Sequence, residues 1–233
     1  MPTLSLVVPV RDEEPNLRAL QARVAEALAG HPSWELLLVD DGSRDGSPDL
    51  IRQLAASDAR VRGVFLERNC GQTTALRCGF ERARGALVAT LDADLQTDPA
   101  EVLLLLSELG DADAIVGYRA QRHDTWLRRV SSRIANAVRN RLSGDRVRDT
   151  GCPLKLFRRE CLRGLPLFEG MHRFLPTLLR MHGFTVREHP VSHYPRWHGR
   201  SQFFRVKSLA TTFSQLCRLY GRSVVMPLFG RRP

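Results

Sequence analysis

The sequence predicts an α/β fold, a mostly parallel sheet flanked by helices with an amphipathic helical segment appended at its C-terminal end. Three observations carry this. Short apolar runs alternate with segments of helical spacing from residue 3 to residue 116. Three of the runs stop abruptly, at Pro9-Val10-Arg11, at Asp40-Asp41-Gly42 and at Asp92-Ala93-Asp94. At 233 residues the chain is long enough to bury the core such a sheet requires.

In order, Thr3 to Val10 reads as a strand, and Pro15 to Leu28 as a helix with Leu17, Leu20, Val24 and Leu28 on one side. Trp34 to Asp41 is a second apolar run ending in acid. Asp45 to Leu54 opens with helix-start chemistry, with Pro48 near the first turn. Val61 to Leu66 is a third strand, Thr73 to Arg84 a helix and Ala86 to Leu91 a fourth strand, bounded by Gly85. Pro99 to Leu109 is a helix and Ala114 to Val116 a short fifth strand. Beyond it the pattern loosens. Trp126 to Leu142 is a basic helix, Arg148 to Arg159 a loop entering a strand, Met171 to His182 a helix and Thr185 to Val191 a strand. Phe203 to Tyr220 is amphipathic, with Val206, Leu209, Phe213, Leu216 and Tyr220 at helical spacing. With no linker or repeat in between, the division is residues 1–200 as one domain and 201–233 as an amphipathic helix with a basic tail.

The formal net charge is +10, and of the 35 basic residues only Lys155 and Lys207 are lysines. Arginine offers fixed, bidentate donors suited to phosphate. The balance fits a phosphate-bearing substrate, an anionic membrane surface or nucleic acid without choosing among them. The five cysteines match no zinc spacing and are expected to be reduced, mostly buried thiols. No basic segment followed by an apolar stretch precedes the first strand, so no signal peptide is expected. No run approaches the roughly 20 apolar residues of a spanning helix.

In parallel sheets ligands gather beyond the carboxyl ends of the strands. The three abrupt endings therefore point to one site. At the third, two carboxylates at i and i+2, with Gln96 two further on, follow a buried strand. Carboxylates there are costly unless something positive meets them. Oxygen ligands of this kind suit Mg²⁺ or Mn²⁺. A surface turn that leads into the helix after Asp98-Pro99 is the alternative, and the D-x-D alone leaves both open.

Four segments in order resemble the inverting family 2 glycosyltransferases. They are Val7-Val8-Pro9-Val10 with Glu13-Glu14, Leu38-Val39-Asp40-Asp41-Gly42-Ser43, Arg68-Asn69-Cys70-Gly71-Gln72, and Leu91-Asp92-Ala93-Asp94-Leu95-Gln96. The resemblance implies a GT-A nucleotide-binding fold that uses a divalent metal. In the second half, Val116-Gly117-Tyr118-Arg119, Trp126-Leu127-Arg128-Arg129, Asp149-Thr150-Gly151-Cys152-Pro153-Leu154-Lys155 and Arg196-Trp197-His198-Gly199-Arg200-Ser201 look like the polyprenyl-phosphate sugar transferases. Members of that branch move a sugar from a nucleoside diphosphate to an undecaprenyl or dolichyl phosphate.

By this resemblance Pro9, Val10, Glu13 and Asp40 hold the nucleoside, and Gln72, Asp92 and Ala93 complete the nucleotide-sugar site. Asp92, Asp94 and Gln96 form the metal site. Asp94, Arg119, Arg128 and Arg196 carry the catalytic step, with Arg119, Arg128, Arg196 and Ser201 on the acceptor phosphate. Relatives often continue Ser-Lys where this chain has Ser201-Gln202, with Arg200 beside them. For Asp41 and Ser43 a turn that closes the strand-to-helix connection is the alternative to binding. The expected partners are a nucleotide diphosphate sugar, a polyprenyl phosphate, a membrane surface contacted peripherally and a second copy of the chain, with no nucleic acid. The expected location is cytoplasmic, on the inner face of the cell membrane. Two other functions compete. One is transfer to a saccharide or protein, with Asp149 or Asp145 as general base. The other is a non-catalytic basic module that binds polyanions or membranes.

Overall fold

The computed structural model describes residues 3–120, 147–165 and 169–194. Seven strands form one sheet: β1 (Leu4–Val10), β2 (Trp34–Asp40), β3 (Val61–Phe65), β4 (Leu87–Thr90), β5 (Ala114–Arg119), β6 (Lys155–Arg158) and β7 (Val186–Val191). Their spatial order is β3-β2-β1-β4-β6-β5-β7. The helices are α1 (Glu14–Ala27), α2 (Ser47–Ser57), α3 (Gln72–Arg82), α4 (Glu101–Leu109) and α5 (Leu175–Met181).

Side chains alternate between the two faces of the strands, and each face has its own core. Leu4, Leu6, Val8 and Val10 of β1 and Leu36 and Leu38 of β2 pack with α1, α2 and α4 through Leu17, Leu20, Val24, Ile51 and Leu105. Val7, Leu37 and Val39 face the other way, onto Ala75, Leu76 and Phe80 of α3 and Leu175 and Leu179 of α5. A helix layer on each side explains why β1 and β2 are apolar along almost their whole length.

The parallel pairs are β1–β2, β1–β4, β2–β3 and β5–β7. Strand β6 lies between β4 and β5 and is antiparallel to both. Its N-terminal end therefore joins the carboxyl ends of its neighbours at one rim. Register fixes who meets there. Val10 lies opposite Asp40, Val7 opposite Thr90, and Lys155 opposite both Thr90 and Val116.

Several limits differ from those expected. Strand β5 runs on to Arg119 because Tyr118 and Arg119 pair with Pro190 and Val191 of β7. The expected helix from Met171 to His182 is a 3-10 turn over Met171–Phe174 followed by α5, whose first turn holds Pro176. The expected helices at 126–142 and 203–220, and the unit at 201–233, lie outside the described residues.

Candidate active site

Two loops leave the rim side by side, after β1 and after β2, and are fastened by a ladder of hydrogen bonds. Arg11 donates to the carbonyls of Asp41 and Gly42. The Asp12 N–H donates to Ser43 Oγ at 2.9 Å, and the Arg44 N–H to Asp12 Oδ1 at 2.7 Å. The Glu13 N–H donates to Ser47 Oγ at 3.1 Å, while Glu13 Oε2 accepts from Asn16 Nδ2 at 2.6 Å. Gly42 sits at φ +65°, where a Cβ would strike the Arg68–Asn69 backbone, so only glycine fits. These loops and the chain after β3 enclose a cleft of roughly 450 Å³, with Arg11, Asp40, Ser43, Phe65, Arg68 and Asn69 among its walls.

Asp40 and Asp41 are both buried and do different things. Asp40 Oδ2 accepts from the Ser43 N–H at 3.2 Å, and its Oδ1 is buried without a hydrogen-bond partner. A buried oxygen of this kind is costly unless a ligand satisfies it. Both oxygens of Asp41 are committed to backbone N–H groups, Cys70 at 2.7 Å and Gly71 at 2.9 Å. Asp41 therefore ties β2 to the entry of α3. The tether crosses to another loop and is not a closed turn of its own.

After β4 the chain turns at Leu95, a non-glycine residue at φ +58°. Asp94 is 5% exposed, and its Oδ1 accepts from the Gln96 N–H at 3.1 Å. Asp92 Oδ1 accepts from Gln72 Nε2, on the first residue of α3, at 3.1 Å. Gln96 is held from its other side, donating Nε2 to the Tyr194 carbonyl at 3.3 Å and accepting from the Tyr194 N–H at 2.8 Å. Ala93 is buried between the acids. The oxygen-rich donor set fits a hard divalent cation. Among the described residues no three His, Cys, Asp or Glu side chains gather to hold a metal unaided. A bound ion would complete its shell with water and substrate phosphate, as Mg²⁺ commonly does.

On the other side of β4, Arg119 and Asp149 form a bidentate pair, Nε to Oδ2 at 2.7 Å and the terminal nitrogen to Oδ1 at 3.1 Å. The Gly151 N–H also donates to Asp149, at 3.1 Å. Beside them Lys155 is buried and donates Nζ to the Cys152 carbonyl. Burial lowers the lysine's pKa, while the carboxylates of Asp92 and Asp149 oppose that shift. Cys152 is buried as well, and its thiol is pushed up to about 11 by burial, so it carries no thiolate at neutral pH.

The structure thus brings Pro9, Val10, Glu13, Asp40, Gln72, Asp92, Ala93, Asp94, Gln96 and Arg119 to a single rim. Arg128, Arg196 and Ser201 lie outside the described residues. Reasoning from the sequence missed the ladder around Arg11, the anchoring by Asp41 and the buried lysine. A signal for the last was present, since Lys155 stands alone among arginines until residue 207. A compact ammonium fits where a planar guanidinium does not.

The model of glycosyl transferase family 2 matches residues 5–165. A dodecaprenyl-phosphate galacturonate synthase of Rhizobium johnstonii is 40% identical over 207 residues, which cover 86% of this chain and 61% of that protein. An undecaprenyl-phosphate 4-deoxy-4-formamido-L-arabinose transferase of Pseudomonas aeruginosa is 38% identical over 213 residues, 90% of this chain and 63% of that protein. The chain spans about three fifths of the length of these curated relatives. Among solved structures, glucosyl-3-phosphoglycerate synthase from Mycobacterium tuberculosis, in complex with Mn²⁺, uridine diphosphate and phosphoglyceric acid, superposes with a TM-score of 0.72. It is 20% identical, and the match covers 95% of this chain and 78% of that one. The likeness is one of fold.

Proposed function

This chain belongs to glycosyl transferase family 2, and we propose that it transfers a sugar from a nucleoside diphosphate to a polyprenyl phosphate, with inversion at the anomeric carbon. The observation that carries the proposal is the pairing on one rim of Asp40, which lines the cleft and keeps one buried oxygen unsatisfied, and the buried Asp94 two strands away. The two relatives, a dodecaprenyl-phosphate galacturonate synthase and an undecaprenyl-phosphate 4-deoxy-4-formamido-L-arabinose transferase, support a lipid phosphate as acceptor.

The nucleoside lies in the cleft and hydrogen-bonds Asp40, with Pro9, Val10 and Glu13 at the adjoining end of β1 and the loop after it. Asp92, Asp94 and Gln96 hold Mg²⁺ or Mn²⁺, with Gln72 fixing one oxygen of Asp92. Bound there, the ion would neutralise the departing diphosphate. An oxygen of the acceptor phosphate forms the new bond to the sugar's C1 opposite the leaving group. The old C1–O pair departs with the nucleoside diphosphate. A phosphate monoester is already anionic at neutral pH, so no base has to remove a proton. Arg119, Arg128, Arg196 and Ser201 orient that phosphate beside the sugar. Asp149 takes two of the five guanidinium donors of Arg119 and so fixes its plane. That commitment speaks against Asp149 as the general base of a saccharide transferase. Among the described residues no helix is long and apolar enough to cross a membrane. The proposed location is peripheral, on the inner face of the cell membrane.

The test is incubation with Mn²⁺, a panel of nucleotide sugars, and either undecaprenyl phosphate or detergent alone. Product that needs the lipid is expected, and a well-folded Asp94→Ala variant should form none. Transfer to a saccharide in place of the lipid, or wild-type turnover by Asp94→Ala, would overturn the proposal.

A further inference from the structure

The first turn of α3 is held from two directions. On one side Asp41 takes the N–H groups of Cys70 and Gly71 just ahead of it. On the other, the buried Thr73 faces the segment that leads into α5. Thr73 Oγ1 accepts the Gly170 N–H at 2.9 Å and lies 2.8 Å from His172 Nδ1. His172 is the acceptor within reach of that hydroxyl. With the ring protonated on Nε2, the Thr73 hydroxyl donates to Nδ1, which gives its proton an acceptor. Burial, helped by Arg173 and Lys155, drives the imidazole's pKa down to about 3, so the ring is neutral and keeps a lone pair for the hydroxyl throughout the physiological range. None of these groups enters the transfer step set out above.

What they hold is the neighbouring residue. Gln72 directly precedes Thr73, and its carboxamide meets Asp92 at 3.1 Å. Gly71, at φ +87°, gives the chain no rigidity of its own just ahead of that turn. We propose that Thr73 and His172 are a positioning pair for the donor site, fixing the first turn of α3 so that Gln72 presents its amide to Asp92. The pair acts through Gln72 and touches no substrate. It rests on the reading of Asp92 as part of the nucleotide-sugar site.

The experiment is a double-mutant cycle on the full chain, read by calorimetric titration with uridine diphosphate and with guanosine diphosphate in the presence of Mn²⁺. Thr73→Val keeps the shape and removes the hydroxyl. It should weaken binding of the preferred nucleotide at least fivefold, while Thr73→Ser stays within twofold of wild type. In a Gln72→Ala background Thr73→Val should cost little more. That non-additivity separates positioning from general destabilisation, which would lower both backgrounds by the same factor. Wild-type affinity in Thr73→Val, or the same loss with and without Gln72, overturns the inference while leaving the donor site intact. Failure of the wild-type protein to bind either nucleotide with Mn²⁺ or Mg²⁺ overturns the donor site and the inference with it. If Thr73→Val does not fold, His172→Leu takes its place in both backgrounds under the same criteria. His172→Asn, whose side-chain oxygen can still accept from Thr73, then serves as the rescue.

Discussion

Asp40 and Asp41 are adjacent, identical in type and equally buried, yet opposite outcomes are expected from removing them. Asp40→Ala deletes an oxygen that has no partner and another that accepts one long bond. The ligand-free protein should melt within about 2 °C of wild type, while nucleotide affinity falls at least tenfold. Asp41→Ala leaves two backbone N–H groups unsatisfied. It should cost about 2 kcal/mol, or roughly 4–8 °C for a chain of this size. Thermal melts with and without nucleotide and Mn²⁺ distinguish the two. At this scale the sequence was half legible. The acids at strand ends announced a site because acid after an apolar run is chemically conspicuous. That Asp41 ties down the Cys70–Gly71 backbone depends on a loop some thirty residues away, and no local pattern encodes that. The same holds for Arg119, whose partner Asp149 lies thirty residues downstream.

Alternation of strand and helix was legible from periodicity through β5. Strand β6 was less so. Lys155 to Arg158 is four residues long and alternates weakly, and its direction is set by the two strands it enters between. Helix α3 shows how closely the elements fit. At Gly79 an added Cβ would collide with the Cγ1 of Val7 on β1 and lie 3.3 Å from Val39 Cγ2. Glycine inside a helix costs about 1 kcal/mol relative to alanine, and here that cost buys close approach to the sheet. Gly79→Ala should therefore be destabilising, since overpacking of about 1–3 kcal/mol exceeds the propensity gain. A drop of several degrees in melting temperature is expected. Arg77→Ala, on the exposed side of the helix, should change it little, because the Arg77–Glu81 pair spans 3.9 Å in solvent. Stability unchanged in Gly79→Ala would mean that α3 can lift from β1 without loss.

The molecule as a whole carries +10, mostly as arginine. If it works on a lipid phosphate at a membrane, that charge supplies long-range attraction to anionic headgroups, each basic residue near the surface contributing about 1 kcal/mol. Cosedimentation with vesicles containing anionic lipid should be strong at low salt and fall steeply as the screening length shortens to about 8 Å near physiological ionic strength. Binding that is indifferent to salt, or equal on neutral vesicles, would mean that the charge serves phosphate recognition within the site alone. Composition made the basic balance plain. It did not reveal that Arg11 spends its donors bracing two loops, or that Arg119 is already paired with a carboxylate.

The reversed strand has a consequence for how the protein is made. Strands β1 to β4 carry the cleft lined by Asp40 and lead to both acids of the D-x-D turn, and all of these residues are synthesised before residue 100. Until Lys155 to Arg158 follow, β4 has a bare outer edge and β5 has nothing on that side to join. A nascent chain stalled in between would display an unpaired apolar strand, the kind of template on which other chains add and aggregate. Vectorial synthesis thus makes strands β1 to β4 first and leaves the edge of β4 open until one short segment, running the opposite way, closes the gap.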